Sequence, residues 1–244
     1  MFIKIFVFRA DMKLSIVMPT YNEEKTILQI LDKVLAVNLP NIEKEIIIVD
    51  DGSKDSTVSL VKKFKEDKNL SYIRIFVQEK NGGKGTAVRR GFKEATGDLV
   101  LIQDADLEYD PEDYPLLLKP ILEKRTKVVF GSRFLRKDHS ARYNFYYMGN
   151  QFLSLLTRIL YLRNITDMET CYKLFTKDVL DRLSLRATRF DIEPEITAKV
   201  IKKGYSIIEV PIRYYSRSFE EGKKITWRDG LKAIWFLIKY RFVN

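Results

Sequence analysis

A chain of 244 residues with 45% hydrophobic and 31% charged residues has enough apolar side chain for a full core and too much for a disordered polymer. One cysteine, Cys171, excludes an internal disulfide and a cysteine zinc cluster, and the single histidine, His139, sits in the polar stretch Arg136-Lys137-Asp138-His139-Ser140 that reads as solvated loop. The formal charge of +10, with eleven Lys and Arg against four Asp and Glu over residues 199–244, asks for an anionic partner: nucleic acid, a phosphorylated substrate or an anionic membrane surface.

Residues 1–8 are apolar but far short of the roughly 20 that cross a bilayer. They also lack the long core and small-residue cleavage site of a signal peptide. Met12 reads as an alternative start, with 1–11 as an extra or edge strand. The run 14–18 is a short strand stopped by Pro19, and Asn22 is placed to cap a helix over 23–37, with acidic residues in its first turn and apolar ones at Ile27, Ile30, Leu31, Val34 and Leu35. Strands follow at 45–49, 72–77 and 99–102, separated by helices at 56–65 and 85–95. Strands alternating with helices of this length predict a parallel sheet with helices on both faces, and ligands collect at the carboxyl ends of such strands. The second half is less regular. A strand at 128–130 ends in Gly131-Ser132-Arg133, an aromatic-rich helix covers 143–162, a strand covers 207–210 and an amphipathic helix covers 227–240. No repeat or low-complexity linker marks a domain boundary. The division that suggests itself is 1–225 as one domain and 226–244 as a C-terminal amphipathic helix.

The conspicuous motifs all fall at strand ends. Asp104 and Asp106 close the apolar run 99–102, and strand alternation would place both on one side. Two hard carboxylate ligands there suit Mg²⁺ or Mn²⁺, which take their other ligands from water and substrate phosphate. Asp50-Asp51-Gly52-Ser53 offers acceptors to a nucleobase or ribose, or simply makes an Asp-Gly turn before the next helix. Asn81-Gly82-Gly83-Lys84-Gly85 either cradles phosphate at a helix N-terminus or is a flexible turn, and its spacing is not that of a Walker loop.

Taken in order, Val17-x-Pro19-Thr20-Tyr21-Asn22-Glu23, Val49-Asp50-Asp51-Gly52-Ser53, Asn81-x-Gly83-Lys84-Gly85-x-Ala87-x-Arg89-x-Gly91 and Asp104-Ala105-Asp106-Leu107 resemble the nucleotide-sugar domain of inverting GT-A glycosyltransferases. Gly131-Ser132-Arg133, the segment Thr166-Asp167-Met168-Glu169-Thr170-Cys171-Tyr172-Lys173-Leu174-Phe175, Phe190-Asp191-Ile192-Glu193 and Glu221-Gly222-Lys223-Lys224-Ile225 extend the resemblance to the branch of dolichyl- and polyprenyl-phosphate mannose and glucose synthases. The Lys-Gly loop and the Cys-x-Lys-Leu-Phe segment look closer to the glucosyl members. The resemblance implies a Rossmann-like, mostly parallel α/β sheet and metal-dependent transfer of a hexose from UDP-glucose or GDP-mannose to polyprenyl phosphate. It implies a donor site on Pro19, Tyr21, Glu23, Asp50, Asp51, Lys84, Asp104 and Ala105, with Mg²⁺ or Mn²⁺ on Asp104, Asp106 and Glu108. It puts the acceptor phosphate on Arg133, Arg142, Arg217, Lys223 and Lys224, and names Asp106, Arg133 and Asp167 as catalytic.

A phosphate acceptor is largely dianionic at neutral pH and attacks without a strong base, which suits a chain with one histidine. What it needs is positive charge beside an anionic donor, and arginine forks supply that. The rival reading is transfer to a sugar hydroxyl of a glycan or glycolipid, which requires a base, with Asp167 the candidate. A third reading, a non-catalytic nucleic-acid binder, fits the basic charge but not acidic strand ends, so no nucleic acid is expected. A lipid acceptor also implies a membrane surface. The helix at 227–240, with Trp227, Leu231, Ile234, Trp235 and Ile238 on one stripe beside Arg228, Lys232, Lys239 and Arg241, and the helix at 143–162 are the candidates to lie on it. The expected location is the cytoplasmic face of a membrane, bound peripherally or through a separate membrane protein.

Overall fold

The computed structural model describes residues 12–136, 145–217 and 227–243. The expected strand over 1–11, together with His139, Arg142, Lys223 and Lys224, lies outside the described residues. Seven strands alternate with helices: β1 (Met12–Thr20), α1 (Ile27–Ala36), β2 (Ile42–Asp50), α2 (Thr57–Asp67), β3 (Ile73–Val77), α3 (Lys84–Glu94), β4 (Leu99–Ile102), α4 (Tyr114–Leu122), β5 (Val128–Ser132), α5 (Phe145–Tyr161), β6 (Lys173–Thr176), α6 (Lys177–Leu180), α7 (Ile192–Lys202), β7 (Ile207–Pro211) and α8 (Trp227–Phe242). They form one sheet in the order β3-β2-β1-β4-β6-β5-β7. Neighbours are parallel except for β6, which runs antiparallel to both β4 and β5. Leu14, Ile16, Val17 and Met18 of β1 and all four residues of β4 are fully buried, as strands covered on both faces must be.

Three expectations need correction. The first helix begins at Ile27 rather than 23, and it has no acidic residue in its first turn. Asn22 sits at φ 51° and does not cap it. Its backbone N–H donates to Ser53 Oγ at 2.8 Å and its Oδ1 accepts from the Lys54 N–H at 2.8 Å, so the side chain stitches the loop after β1 to the loop after β2. Glu24 likewise accepts from the Ser56 N–H at 3.0 Å, placing its charge at the start of α2 instead of α1. The second correction concerns the acidic pair. β4 ends at Ile102, so Asp104 and Asp106 stand in the turn that follows, with Leu107 at φ 65°, and strand alternation does not place them. The third is the set of elements that pattern reading did not find: α4, β6, α6 and α7. Only four residues long, β6 opens with Lys173, whose buried ammonium is paired to Glu193. In α7 every residue from Ile192 to Ile201 is buried, including Glu193, Glu195 and Lys199, so no polar face advertises it.

Besides the core around the sheet there is a smaller one. Leu153 and Tyr161 of α5, Ala198 and Ile201 of α7, and Ala233, Leu237 and Tyr240 of α8 pack together away from it. The opposite faces of α5 and α8 stay open. Met148, Phe152, Leu155 and Ile159 make one exposed stripe, extended by Leu162 just beyond the helix, and Leu231, Trp235, Ile238 and Phe242 make another. Arg158, Lys232, Lys239 and Arg241 are exposed on the same two helices. No helix among the described residues is long and apolar enough to cross a membrane.

Candidate active site

At the carboxyl ends of the strands lies a cleft of about 480 Å³. The end of β1 contributes Pro19 and the loop after it Tyr21 and Glu23, the loop after β2 Asp51, the start of α3 Lys84, and the turn after β4 Asp104, Ala105, Asp106 and Glu108. Arg133, just past β5, and Arg217 complete the set of sequence-predicted residues that line it. Asp50 does not line it; its carboxylate accepts from the N–H and hydroxyl of Ser53, closing the turn.

Asp51 holds the glycine loop. Its Oδ1 accepts from Gln78 Nε2 at 2.6 Å and from the Gly82 N–H at 2.8 Å, and its Oδ2 from the Gly83 N–H at 2.7 Å. The two N–H groups that would have cradled phosphate are therefore committed to a carboxylate. Gly83 is needed for the fit: at φ +91° a Cβ would lie 2.5 Å from the Thr188 carbonyl oxygen. This brings Lys84 into the cleft, where its ammonium reaches Asp104 at 2.9 Å, Cys171 Sγ at 3.2 Å and Glu193 at 3.5 Å. Burial opposes that charge, but the surrounding Asp104, Cys171 and Glu193 hold it well above the ordinary lysine value.

The acidic turn is anchored from below by Gln103. Its Oε1 accepts from the hydroxyls of Tyr114 and Tyr172, both at 2.7 Å and both fully buried. Asp106 accepts from Arg217 Nη2 at 2.7 Å, while Glu108 accepts from the Arg217 backbone N–H at 2.9 Å and from the Tyr214 hydroxyl at 3.0 Å. Burial, then the charges of Asp104 and Glu108, push the Asp106 carboxyl up to about 7 against the pull of Arg217. Hard oxygen donors crowded to that degree fit a divalent cation, which relieves the repulsion between them. Among the described residues no three His, Cys, Asp or Glu side chains converge as a cage. Asp104 is engaged by Lys84, Asp106 by Arg217, and Glu108 by Tyr214 and Arg217.

Arg133 and Asp167 form a buried fork. Asp167 Oδ2 accepts from the Arg133 N–H at 2.9 Å and Nε at 2.7 Å, and Oδ1 accepts from Nη2 at 2.7 Å. Asp167 is fully buried, lies behind Arg133 and does not line the cleft. The guanidinium stands 4.9 Å over the Tyr214 ring. Burial works against its charge, yet Asp167 raises its pKa further above the arginine value. Tyr109, Tyr214 and Arg189 also line the cleft and carried no site signal in the sequence, and Cys171 and Phe190, which lie in segments of the resemblance, line it without having been given a role. Tyr109 and Tyr214 meet as an isolated bridge 105 positions apart, a contact that local pattern does not register.

The model of glycosyl transferase family 2 matches residues 15–184. The chain belongs to that family. It is a glycosyltransferase. Over 94% of its length it is 31% identical to a dolichol-phosphate mannosyltransferase of Pyrococcus furiosus, of which it spans 64%, and 33% identical to a dolichyl-phosphate beta-glucosyltransferase of Trichomonas vaginalis, of which it spans 73%. A UDP-N-acetylglucosamine–dolichyl-phosphate N-acetylglucosaminyltransferase of Methanococcus voltae is 31% identical and is spanned over 96%. The mostly parallel seven-stranded sheet with flanking helices is a GT-A fold. Glucosyl-3-phosphoglycerate synthase from Mycobacterium tuberculosis, solved with Mn²⁺, UDP and phosphoglyceric acid, superposes with a TM-score of 0.70 at 19% identity, over 96% of this chain and 80% of that one.

Proposed function

We propose that this glycosyltransferase moves a hexose, with inversion, from a nucleotide sugar to a polyprenyl phosphate at a membrane surface. The observation that carries this reading is the Arg133–Asp167 fork. It puts a fixed guanidinium on the cleft wall for an anionic acceptor, and it occupies both oxygens of the carboxylate that a hydroxyl acceptor would have needed as base. The nucleoside lies against Pro19, Tyr21 and Glu23, and the diphosphate reaches the Asp104 and Asp106 turn. Asp104 and Asp106 would hold Mg²⁺ or Mn²⁺ there, which would supply charge neutralisation for a departing diphosphate. Lys84 and Arg217 balance the same carboxylates. Arg133 orients an acceptor phosphate whose own charge makes it the nucleophile. The relatives that act on dolichyl phosphate support the acceptor class.

The exposed apolar stripes of α5 and α8, flanked by basic residues, support peripheral attachment to the anionic, cytoplasmic face of a membrane, with 226–244 as the membrane-facing arm. The deciding experiment is transfer of labelled hexose from UDP-glucose or GDP-mannose into organic-extractable lipid, with polyprenyl phosphate, Mg²⁺ or Mn²⁺, and an EDTA control. Metal-dependent label from one donor is the expected result. Intact nucleotide-sugar binding with no lipid product from either donor would overturn the acceptor assignment in favour of a sugar hydroxyl.

A further inference from the structure

Beyond the Lys84–Asp104 pair the cleft is walled by two glutamates for which the proposed chemistry has no use so far. Glu193, on the first turn of α7, is 3% exposed, and Glu169 precedes β6. Both line the cleft. Glu193 Oε2 is paired to the buried ammonium of Lys173, and its Oε1 stands 3.5 Å from Lys84 Nζ without a hydrogen bond. Glu169 Oε1 is also buried with no hydrogen-bond partner among the described residues. A buried carboxylate oxygen without a donor is costly, and groups left in that condition in a cleft are ones a ligand completes.

We infer that Glu169 and Glu193 form the subsite for the sugar end of the donor and take the hydroxyl groups of a neutral hexopyranose. The inference rests on the donor reading above and deepens it. Both unpartnered atoms are acceptors, so the occupant must bring O–H or N–H donors. An ionised phosphate or carboxylate brings none and would meet the charge of Glu193. A pyranose carries several hydroxyls on adjacent carbons, each able to donate to one oxygen while accepting from a neighbour. Position agrees with chemistry. Lys84 touches Asp104 on one side and Glu193 on the other, so the glutamate wall begins where the diphosphate turn ends, as the sugar follows the phosphate in a nucleotide sugar. Burial and the nearby charge of Glu193 push the Glu169 carboxyl up to about 7, which lets it both donate and accept at neutral pH. Two glutamates also exclude: a uronic-acid donor would bring a third carboxylate into the same wall. Glu169 and Glu193 thereby determine specificity for the sugar.

The test is calorimetric titration of the full chain with UDP, GDP, UDP-glucose, GDP-mannose and UDP-glucuronate in the presence of Mn²⁺, for the native protein, Glu169→Gln and Glu169→Ala. Glu193 is left intact because its other oxygen holds Lys173. The expected result is that Glu169→Ala weakens the sugar nucleotide that binds by about tenfold, the loss of a hydrogen bond in a buried site, and that Glu169→Gln, which keeps an acceptor oxygen and a donor, weakens it less, while affinity for its free diphosphate stays unchanged. The glucuronate donor binds the native protein worse than the glucose donor. Equal loss for sugar nucleotide and free diphosphate, or no loss for either, overturns the subsite and leaves the donor reading standing. Unchanged donor affinity with a collapsed kcat in the lipid assay also overturns it, and makes Glu169 a base for a hydroxyl acceptor. If none of the five nucleotides binds the native protein, the donor reading falls and the subsite falls with it.

Discussion

In Asp167→Asn the carboxylate that takes three hydrogen bonds from Arg133 becomes an amide of the same shape. If the amide oxygen takes the place of Oδ2, it keeps the backbone N–H and Nε of Arg133, and the amide nitrogen then faces Nη2 at 2.7 Å, donor against donor. One charge-assisted hydrogen bond goes, which is about 1.5–3 kcal/mol. The guanidinium is also left buried without its counter-charge, for which breaking a buried pair sets a ceiling of about 3–5 kcal/mol. A loss of roughly 3 kcal/mol is therefore expected. For a domain of this size that lowers Tm by about 6–12 °C. The assays are a thermal melt and lipid-transfer kinetics on the same preparation. Arg133 loosened from its fork should raise the acceptor KM and leave residual turnover. A drop in kcat of roughly 10²–10⁴ with an unchanged Tm would refute this reasoning, because that is the behaviour of a general base.

Three further outcomes follow from the geometry. Asp51→Ala removes the acceptor for Gln78 and for the Gly82 and Gly83 N–H groups, so nucleotide-sugar affinity should fall and stability drop by about 2 kcal/mol, read by titration and urea unfolding. Glu45, buried and held by Ser15, Thr96 and Lys13, has its carboxyl lowered: burial opposes the charge and those hydrogen bonds prevail. A lowered folded value means its contribution is present above the ordinary carboxylate range and is lost as pH falls through the folded value. The Tm gap between the native protein and Glu45→Gln should then be constant near neutrality and shrink below about pH 4.3. The double variant Ile159→Glu, Trp235→Glu, at two positions each 63% exposed, should cut co-sedimentation with anionic vesicles by about tenfold with no change in Tm. Unchanged vesicle binding would remove α5 and α8 as the contact.

The alternating half of the chain was legible because its elements announce themselves locally. The apolar runs of β1, β2 and β4 and the stripe of Ile27, Ile30, Leu31 and Val34 on α1 are each contained within a dozen residues, and the structure keeps them. The second half hid its elements because polar residues are buried there against distant partners. Lys173 reads as a loop residue until Glu193 is beside it, and Glu195 until it accepts from the Arg186 and Ala187 N–H groups. The same limit applied in the cleft. Asp104 and Asp106 stood out by composition, whereas Tyr109 and Tyr214 enter it only through contacts made across the fold.

By itself the sequence determined the α/β class, the strand ends at which charge gathers and the kind of chemistry carboxylates and arginines permit there, since these follow from side-chain type and short-range periodicity. Tertiary structure alone decided what each charge is for. Asp51 is turned onto the glycine loop, Asp167 is spent on Arg133, Glu108 is turned to Tyr214 and Arg217, and Glu169 and Glu193 keep open oxygens. A carboxylate's role depends on whether its lone pairs are already occupied, and its partners lie up to 194 positions away along the chain.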